Sequence, residues 1–268
     1  MTAGSTATRD YWERRLRDNF SLEGVGYLRL GRRYNEWVYR IRGEVFDRVV
    51  AEETAAMPRP LAVLEVGAGT GFYVERWLAL GAKVTGVDLT DVAIQNLARR
   101  FPQGRFLQAD IGAPLRGSLA DAVDDFDVVS AFDVLFHIVD DAAYTRALEN
   151  IAHLLKPGGL FIWSDNFVHQ AAIRVDHQVS RSLPEIETAL DRAGFEVVRR
   201  VPMFVLMNYP ADTSSRLARW AWTAMVAPAL LSDRLGGLLG RLLYPIERRL
   251  LRSRKESSST ELMVCRRR

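Results

Sequence analysis

Three glycines within residues 63–71, Val-Leu-Glu-Val-Gly-Ala-Gly-Thr-Gly, are the first candidates for chemistry. Glycine lets the backbone turn tightly and approach a ligand with no Cβ atom in the way. The turn follows an apolar run and precedes a helical pattern, so the amides at the helix start can donate to an anionic group. We therefore predict a ligand-binding turn formed by Gly67, Ala68, Gly69 and Gly71.

Two aspartates follow the next two predicted strands. Asp88 ends the second strand, 17 residues after Gly71, where a carboxylate can accept both hydroxyls of a ribose. Asp110 ends the third strand and can accept from an adenine amino group. The C-terminal ends of neighbouring strands meet at the crevice where open α/β sheets bind ligands. Together, the two aspartates and the glycine turn predict a binding site for a nucleoside.

Short β-branched runs alternate with amphipathic stretches along the chain. This pattern is typical of βαβ units and predicts the strands and helices that position these residues. The predicted strands are 61–66, 83–87, 105–108, 127–132, 159–163, 195–201 and 261–266, and the predicted helices are 71–80, 91–100, 141–155 and 184–193. About sixty residues between the last two strands exceed what a sheet needs. We predict an N-terminal helical segment or lid (1–58), an α/β core (59–201 with 260–268) and a helical cap (202–259).

Composition and charge narrow the class of protein. The 268 residues, 48% hydrophobic and 26% charged, exclude collagen-like, disordered and disulfide-scaffold proteins. The lone Cys265 and an N-terminus that is charged before any apolar run favour a cytoplasmic protein without signal peptide or membrane span. Residues 51–200 carry 14 basic and 21 acidic side chains, which argues against the broad basic face of a nucleic-acid partner.

Several segments together resemble class I S-adenosylmethionine (SAM)-dependent methyltransferases. They are the glycine turn with Glu65, Val-Asp at 87–88, Ala-Asp-Ile at 109–111, Phe-Asp-Val-Val-Ser-Ala-Phe-Asp-Val-Leu at 126–135 and Leu-Lys-Pro-Gly-Gly at 155–159. The resemblance covers residues 60–200. It implies a doubly wound, Rossmann-like sheet of seven mostly parallel strands in the order 3-2-1-4-5-7-6, with SAM as cofactor and S-adenosylhomocysteine as product.

The resemblance also implies a role for each motif residue. Gly67, Gly69 and Gly71 would shape the methionine pocket, and Glu65 would orient that end of the cofactor. Asp88 would hold the ribose, Leu89 would flank the adenine, and Asp110 with the amide of Ile111 would contact its edge. Phe132 and Asp133 would lie under the methionine and the sulfonium.

Two alternatives stay open beside a methyltransferase. A nicotinamide-dependent reductase shares the first βαβ unit, but the spacing is G-x-G-x-G rather than G-x-G-x-x-G, and three lysines provide no Tyr-x-x-x-Lys pair. The other alternative is a nucleoside-cofactor-binding partner or regulatory subunit without turnover.

His137, just after the fourth strand, is the candidate general base, because an oxygen acceptor must lose a proton. Its alternative is a histidine packed on the following helix, and His169 and His177 are weaker candidates for the acceptor side. Family members that methylate nucleic-acid amines carry Asn/Asp-Pro-Pro-Tyr/Phe where this chain has Phe-Asp-Val-Leu-Phe at 132–136. We therefore favour O-methylation of a moderately hydrophobic small molecule, either a secondary metabolite or a lipid, over methylation of a nucleobase amine, and a carbon acceptor is the less favoured alternative.

Three further hypotheses concern metal, membrane and acceptor pocket. Asp133, Asp165 and Asn166 could hold a divalent metal, although the favoured alternative is that Asp165 and Asn166 shape a turn after the strand. Arginines at every seventh residue beside a leucine-rich face allow peripheral membrane contact through the cap, with plain packing or a dimer contact as the favoured alternative. The arginines are Arg234, Arg241 and Arg248.

Six residues could wall an acceptor pocket: Tyr27, Tyr34, Trp37, Trp220, Trp222 and Met225. Oligomeric state is not predicted.

Overall fold

A seven-stranded sheet forms the centre of the computed structural model, which describes residues 3–175 and 177–268. Its strands are β1 (Ala62–Val66), β2 (Lys83–Asp88), β3 (Arg105–Gln108), β4 (Phe126–Phe132), β5 (Leu155–Asp165), β8 (Phe195–Pro202) and β9 (Glu261–Arg267). A separate hairpin consists of β6 (Ile173–Val175) and β7 (Gln178–Ser180).

The strand order is β3-β2-β1-β4-β5-β9-β8. The strands from β3 to β5 pair in parallel, whereas β9 is antiparallel to both of its neighbours. With β8 and β9 as the sixth and seventh predicted strands, this is the predicted order, and the predicted Rossmann-like fold class is confirmed. The central strands read as apolar runs because both faces of a parallel sheet are buried, and Val63 and Leu64 point to opposite faces with 0% exposure each.

Helices cover both faces of the sheet. They are α1 (Ala3–Asp18), α2 (Leu22–Val25), α3 (Gly31–Glu53), α4 (Phe72–Ala79), α5 (Asp91–Arg100), α6 (Asp141–Leu154), α7 (Leu183–Arg192), α8 (Arg216–Leu231) and α9 (Asp233–Ser253). One core cluster joins the inner side of α3 and α4 to the sheet, and a second lies under α6 and α7. Local signals fix the helix starts: Asp140 accepts from the Ala143 amide at 2.7 Å, and Ser182 and Glu185 form a capping box.

Helix α9 lies along α3, and its glycines allow the close approach. A Cβ atom on Gly240 would lie 2.4 Å from Trp37 Cδ1, and one on Gly236 would lie 3.0 Å from the Leu30 carbonyl oxygen. By intrinsic propensity these glycines and Pro245 weaken a long helix, yet α9 runs through 21 residues. Packing of the glycines against α3 offsets the helix propensity that glycine lacks.

Other expected boundaries differ as well. Strand β5 begins at Leu155, so Lys156-Pro157-Gly158-Gly159 belongs to the strand rather than to a connection between the predicted helix 141–155 and the predicted strand 159–163. The first part of the predicted cap contains no helix, and Met203, Phe204 and Met207 are fully buried there. In the described ranges, 3–175 and 177–268, no helix combines the length and apolarity needed to cross a membrane.

Candidate active site

A cavity lies at the C-terminal ends of β1, β2, β3 and β4, and we call it the donor cavity. Ten of the twelve predicted cofactor and catalytic residues line it. They are Gly67, Ala68, Gly69, Asp88, Leu89, Asp110, Ile111, Phe132, Asp133 and His137. The sheet brings them together because parallel strands end at the same edge.

The glycine turn is anchored to β2 and shaped by left-handed backbone angles. The amides of Gly67 and Ala68 both donate to the Val87 carbonyl oxygen, at 2.8 and 3.0 Å. Gly67 has φ +68°, and a Cβ atom there would lie 2.3 Å from Val134 Cγ2. Gly69 has φ +51°, and the nearest atom to a Cβ there would be Val25 Cγ1, 3.6 Å away. The turn therefore needs glycine for conformation and leaves its cavity side open to a ligand.

Asp88 is held in place by three hydrogen bonds. Its Oδ1 accepts from the Thr90 amide at 2.9 Å and from Thr90 Oγ1 at 2.7 Å, and its Oδ2 accepts from the Gly69 amide at 2.9 Å. Burial raises the pKa of Asp88, and these bonds lower it. A carboxylate has about four acceptor sites, so Asp88 can still accept a ligand hydroxyl while it is joined to the glycine turn.

The loop after β3 is fixed by α6. Asn150 Nδ2 donates to the carbonyl oxygens of Ile111 and Ala113, at 2.7 and 2.8 Å. Asp110 Oδ1 accepts from the Gly112 amide at 2.9 Å. These bonds fix Asp110 and Ile111 on the wall of the donor cavity where the predicted adenine would lie.

Glu65 and Gly71 lie outside the donor cavity. Glu65 is 1% exposed, and its Oε2 accepts from Trp77 Nε1 at 3.3 Å and from Ser130 Oγ. Burial raises the pKa of Glu65 to about 8, while the Ser130 and Trp77 bonds lower it. A Cβ atom on Gly71, which precedes α4, would lie 2.6 Å from Phe101 Cε2. These two residues therefore lie behind the cavity wall rather than in it.

Asp133 has a left-handed backbone, with φ +58°, which is costly for a residue other than glycine. Its amide donates to Ser164 Oγ at 3.0 Å, and its Oδ1 accepts from the same hydroxyl at 2.9 Å. Its Oδ2 forms an ion pair with Arg42 of α3. Arg42, which no local sequence pattern marks as functional, also lines the donor cavity. Its charge neutralises Asp133 where the predicted sulfonium would lie.

The ring of His137 is oriented by a backbone oxygen. Nδ1 lies 3.1 Å from the His177 carbonyl oxygen. Because a carbonyl only accepts, this contact assigns the hydrogen to Nδ1 and leaves Nε2 as an acceptor. Burial lowers the pKa of His137 to about 4, so the imidazole is neutral at neutral pH. A neutral ring with a free acceptor nitrogen is the form a general base requires.

A second cavity, which we call the acceptor cavity, adjoins the donor cavity. The two share six lining residues: Trp12, Val25, Tyr39, Arg42, Asp133 and His137. Of the six residues predicted to wall an acceptor pocket, only Tyr27 lines this cavity. Trp220 is 68% exposed, and Tyr34 is buried and donates to the Met207 carbonyl oxygen. His177 lines the acceptor cavity, whereas His169 pairs with Asp212 at 2.6 Å.

A chain of polar side chains lines one side of the acceptor cavity. Tyr27 donates to Asn208 Oδ1, Asn208 Nδ2 donates to Thr260 Oγ1 at 2.7 Å, and Thr260 Oγ1 donates to Asn166 Oδ1 at 3.1 Å. Three arginines, Arg15, Arg42 and Arg219, line the cavity, and Asp133 is the only carboxylate among its described lining residues. The cavity therefore offers hydrogen bonds and a net positive charge to an acceptor.

The residues proposed for a metal are engaged with protein groups. Asp133 pairs with Arg42 and Ser164, and Asn166 Oδ1 accepts from Thr260. Burial raises the pKa of Asp165 to about 8, which keeps it neutral and a poor cation ligand. In the part of the chain that the structure describes, no group of three His, Cys, Asp or Glu side chains could hold a metal ion. The geometry does not support the metal hypothesis.

Comparison with known proteins identifies the class. Residues 63–159 match a family model described as methyltransferase domain. The ubiquinone biosynthesis O-methyltransferase of Sinorhizobium medicae is 30% identical over 182 residues, which cover 61% of this chain and 72% of that protein. The ubiquinone biosynthesis O-methyltransferase of Ruegeria pomeroyi is 37% identical over 128 residues, which cover 47% and 48%.

A solved structure extends the likeness to the whole chain. Magnesium protoporphyrin IX methyltransferase from Synechocystis PCC 6803, crystallised with bound SAM, has a TM-score of 0.58 at 18% identity, and the match covers 100% of this chain and 99% of that one. The chain belongs to the class I SAM-dependent methyltransferases and is an enzyme that uses SAM. The predicted class and cofactor are confirmed, and the relatives named above are O-methyltransferases, in agreement with the reaction that we expected.

Proposed function

We propose that this enzyme methylates a hydroxyl group on a hydrophobic, aromatic small molecule bound in the acceptor cavity. The observation that carries the proposal is the wall shared by the two cavities, where His137 and Asp133 lie together. A group bound on one side of this wall can reach a donor bound on the other. The names of the relatives, which concern O-methylation in ubiquinone biosynthesis, support an oxygen acceptor.

The residues of the chain fit the donor. Asp88 retains acceptor capacity, the open side of Gly69 admits a ligand, and Phe132 stacks on Tyr73 with ring centroids 3.9 Å apart beneath the cavity. When bound, SAM supplies an electrophilic methyl group, whose transfer to the acceptor oxygen leaves S-adenosylhomocysteine. We propose that Asp88, Leu89, Asp110 and Ile111 hold its nucleoside part.

His137 is proposed as the general base that removes the hydroxyl proton. Its Nε2 is the acceptor nitrogen, and Asp133 favours the imidazolium that forms when the proton arrives. Trp12 packs edge-on against the His137 ring, with centroids 5.1 Å apart. Because Trp12 belongs to α1, the N-terminal helix also covers the reacting groups and excludes water.

The acceptor cavity indicates the chemical class of the acceptor. Tyr11, Trp12 and Tyr39 provide apolar area for an aromatic ring. Arg15 and Arg219 favour an acceptor that carries negative charge or ionises to a phenolate. The single buried cysteine supports the predicted cytoplasmic location, which remains a proposal.

The decisive experiment combines tritiated SAM with a panel of alkyl-substituted phenols and catechols. For an acceptor that is methylated, His137→Gln should reduce kcat about 100- to 10,000-fold. Calorimetry should show S-adenosylhomocysteine binding by the variant within about threefold of wild type. His153→Gln is the matched control, because His153 is exposed on α6 and lines neither cavity.

The pH profile provides a second test of the base. Since the pKa of His137 is lowered to about 4, kcat should stay level as pH falls from 7 to 5 and decline only below that range. Methyl transfer by His137→Gln at more than a third of the wild-type rate would contradict the assignment. Binding of S-adenosylhomocysteine without transfer to any compound in the panel would favour a binding protein without turnover.

A further inference from the structure

The outer face of α8 and α9 is apolar and exposed to solvent. Leu217 is 72% exposed, Trp220 68% and Leu231 79%. On α9, which packs against α8, Leu238, Leu242 and Ile246 are each at least half exposed. Large apolar side chains seldom gather on a free surface unless they contact a partner or a membrane. We call this set the cap surface.

The opposite face of α9 already has its partner. Gly236, Gly240, Leu243 and Leu251 are buried, at the spacing of one helical face, and α9 packs along α3 through them. The exposed leucines are therefore not the face that covers the protein core. The packing explanation for the amphipathic pattern accounts for the inner face only.

Arginines lie beside the exposed leucines. With 100° per residue, Arg234, Arg241 and Arg252 fall on one flank of the stripe that holds Leu238 and Leu242. All three arginines are exposed, and none forms an ion pair with a residue in the described ranges. Long arginine side chains on the flank of an apolar helix face suit the boundary between lipid headgroups and acyl chains.

Acidic charge is nearly absent from the cap surface. Residues 216–253 contain seven arginines and two acids. Asp233 accepts from the Arg33 amide at 2.8 Å and pairs with its guanidinium, and Glu247 is buried, with three backbone amides as donors. The free charge on this side of the molecule is therefore positive, which complements an anionic surface.

We infer that the cap surface docks on an anionic phospholipid membrane, with its leucines and Trp220 in the interface and its arginines on lipid phosphates. A two-fold dimer through the same face would place the arginine rows of two copies together with no acids to match them, so a second copy fits less well. Arg219, next to Trp220 on α8, lines the acceptor cavity. The cap surface thus begins at the edge of that cavity, and delivery of a hydrophobic acceptor from the membrane, unlike the docking itself, rests on the proposed function.

The test is sedimentation of the full chain with vesicles of phosphatidylcholine, with and without phosphatidylglycerol. Wild type should bind the anionic vesicles and bind neutral ones more weakly. The triple variant Arg234→Gln, Arg241→Gln, Arg252→Gln should lose about 100-fold in partition coefficient on anionic vesicles, since each arginine near such a surface contributes about fivefold. Trp220→Ser with Leu231→Ser should lose at least about tenfold on both kinds of vesicle.

The matched controls lie on other elements than α8 and α9. Arg105→Gln on β3 and Leu80→Ser, at a site 44% exposed after α4, should bind vesicles as wild type does. Thermal unfolding and S-adenosylhomocysteine binding show that every variant is folded, and vesicle binding is read without any acceptor, so failure here is separate from failure of the proposed function. Two results would overturn the inference: wild type that binds S-adenosylhomocysteine but no anionic vesicle, or a dimer in solution that Trp220→Ser converts to a monomer.

Discussion

Replacement of Glu65 by glutamine should change how stability depends on pH. Burial raises the pKa of Glu65 from 4.5 to about 8, so the folded protein holds a proton that the unfolded chain has released across this range. The stabilising contribution is complete below pH 4.5 and is lost as pH rises toward 8. Glutamine cannot ionise, and its amide oxygen can accept from the same partners, Ser130 and Trp77.

The expected magnitude follows from the size of the pKa difference. One pH unit corresponds to about 1.4 kcal/mol per proton, so between pH 5 and pH 8 wild type should lose on the order of 4 kcal/mol relative to Glu65→Gln. At pH 5 the two proteins should be nearly equal in stability. Burial also raises the pKa of Asp165 to about 8, so Asp165 makes the stability fall with rising pH in the same way. Because both proteins contain Asp165, its contribution cancels when their free energies of unfolding are compared.

Urea unfolding, followed by circular dichroism at pH 5 and pH 8, measures this difference. The control is Glu149→Gln on the exposed side of α6, which should follow wild type at both pH values. S-adenosylhomocysteine affinity of Glu65→Gln should stay within about threefold of wild type, because Glu65 lies outside the donor cavity. If the free energies of unfolding of wild type and Glu65→Gln fall in parallel with pH, the carboxyl group is not desolvated and the structural role is refuted.

Three further substitutions test the donor cavity and its supports. Asp88→Asn should weaken SAM binding about 10- to 100-fold in calorimetry, since a hydrogen bond to a charged acceptor contributes about 1.5–3 kcal/mol and Asp88 lines the donor cavity; unchanged affinity would remove Asp88 from the site. Arg42→Met should cost about 2 to 3 kcal/mol in urea unfolding because it leaves Asp133 unpaired, at the low end because the Asp133 side chain is 25% exposed. Gly240→Ala should destabilise by about 1 to 2 kcal/mol despite the better helix propensity of alanine, since its Cβ would lie 2.4 Å from Trp37 Cδ1; a rise in Tm would show that Trp37 moves freely.

The donor side could be predicted from the sequence because it is built from short, local signals. The glycine turn, Asp88 and Asp110 each lie at the end of one strand, and strand ends in a parallel sheet converge whatever the rest of the chain does. Local sequence signals do not predict the role of a side chain whose environment is set by tertiary contacts. Glu65 lies one strand position before the cavity wall, so its side chain points to the buried face of the sheet and contacts Trp77 rather than a ligand.

The acceptor side could not be predicted, because it is assembled from segments far apart in the chain. Arg42 of α3 reaches Asp133 after β4, and Tyr27 before α3 reaches Asn208, which bonds Thr260 before β9. The aromatic residues of the N-terminal helices had the spacing of ordinary core residues. Only the tertiary contacts distinguish the roles of two such residues. Tyr39 lines both cavities, whereas Tyr34 is buried under the connector before α8.

Because of these long-range contacts, different elements supply the residues of the two cavities. The sheet edge presents donor-binding groups, while α1 and α3 add Trp12, Tyr39 and Arg42 from outside the core. Each of these three residues lines both cavities, so a ligand in either one contacts the same helices. Donor binding that orders these helices would complete the acceptor cavity as well, because ligands that stabilise one arrangement of a shared wall favour each other. S-adenosylhomocysteine should therefore tighten acceptor binding, and equal acceptor affinity in its presence and absence would show that the shared wall is rigid.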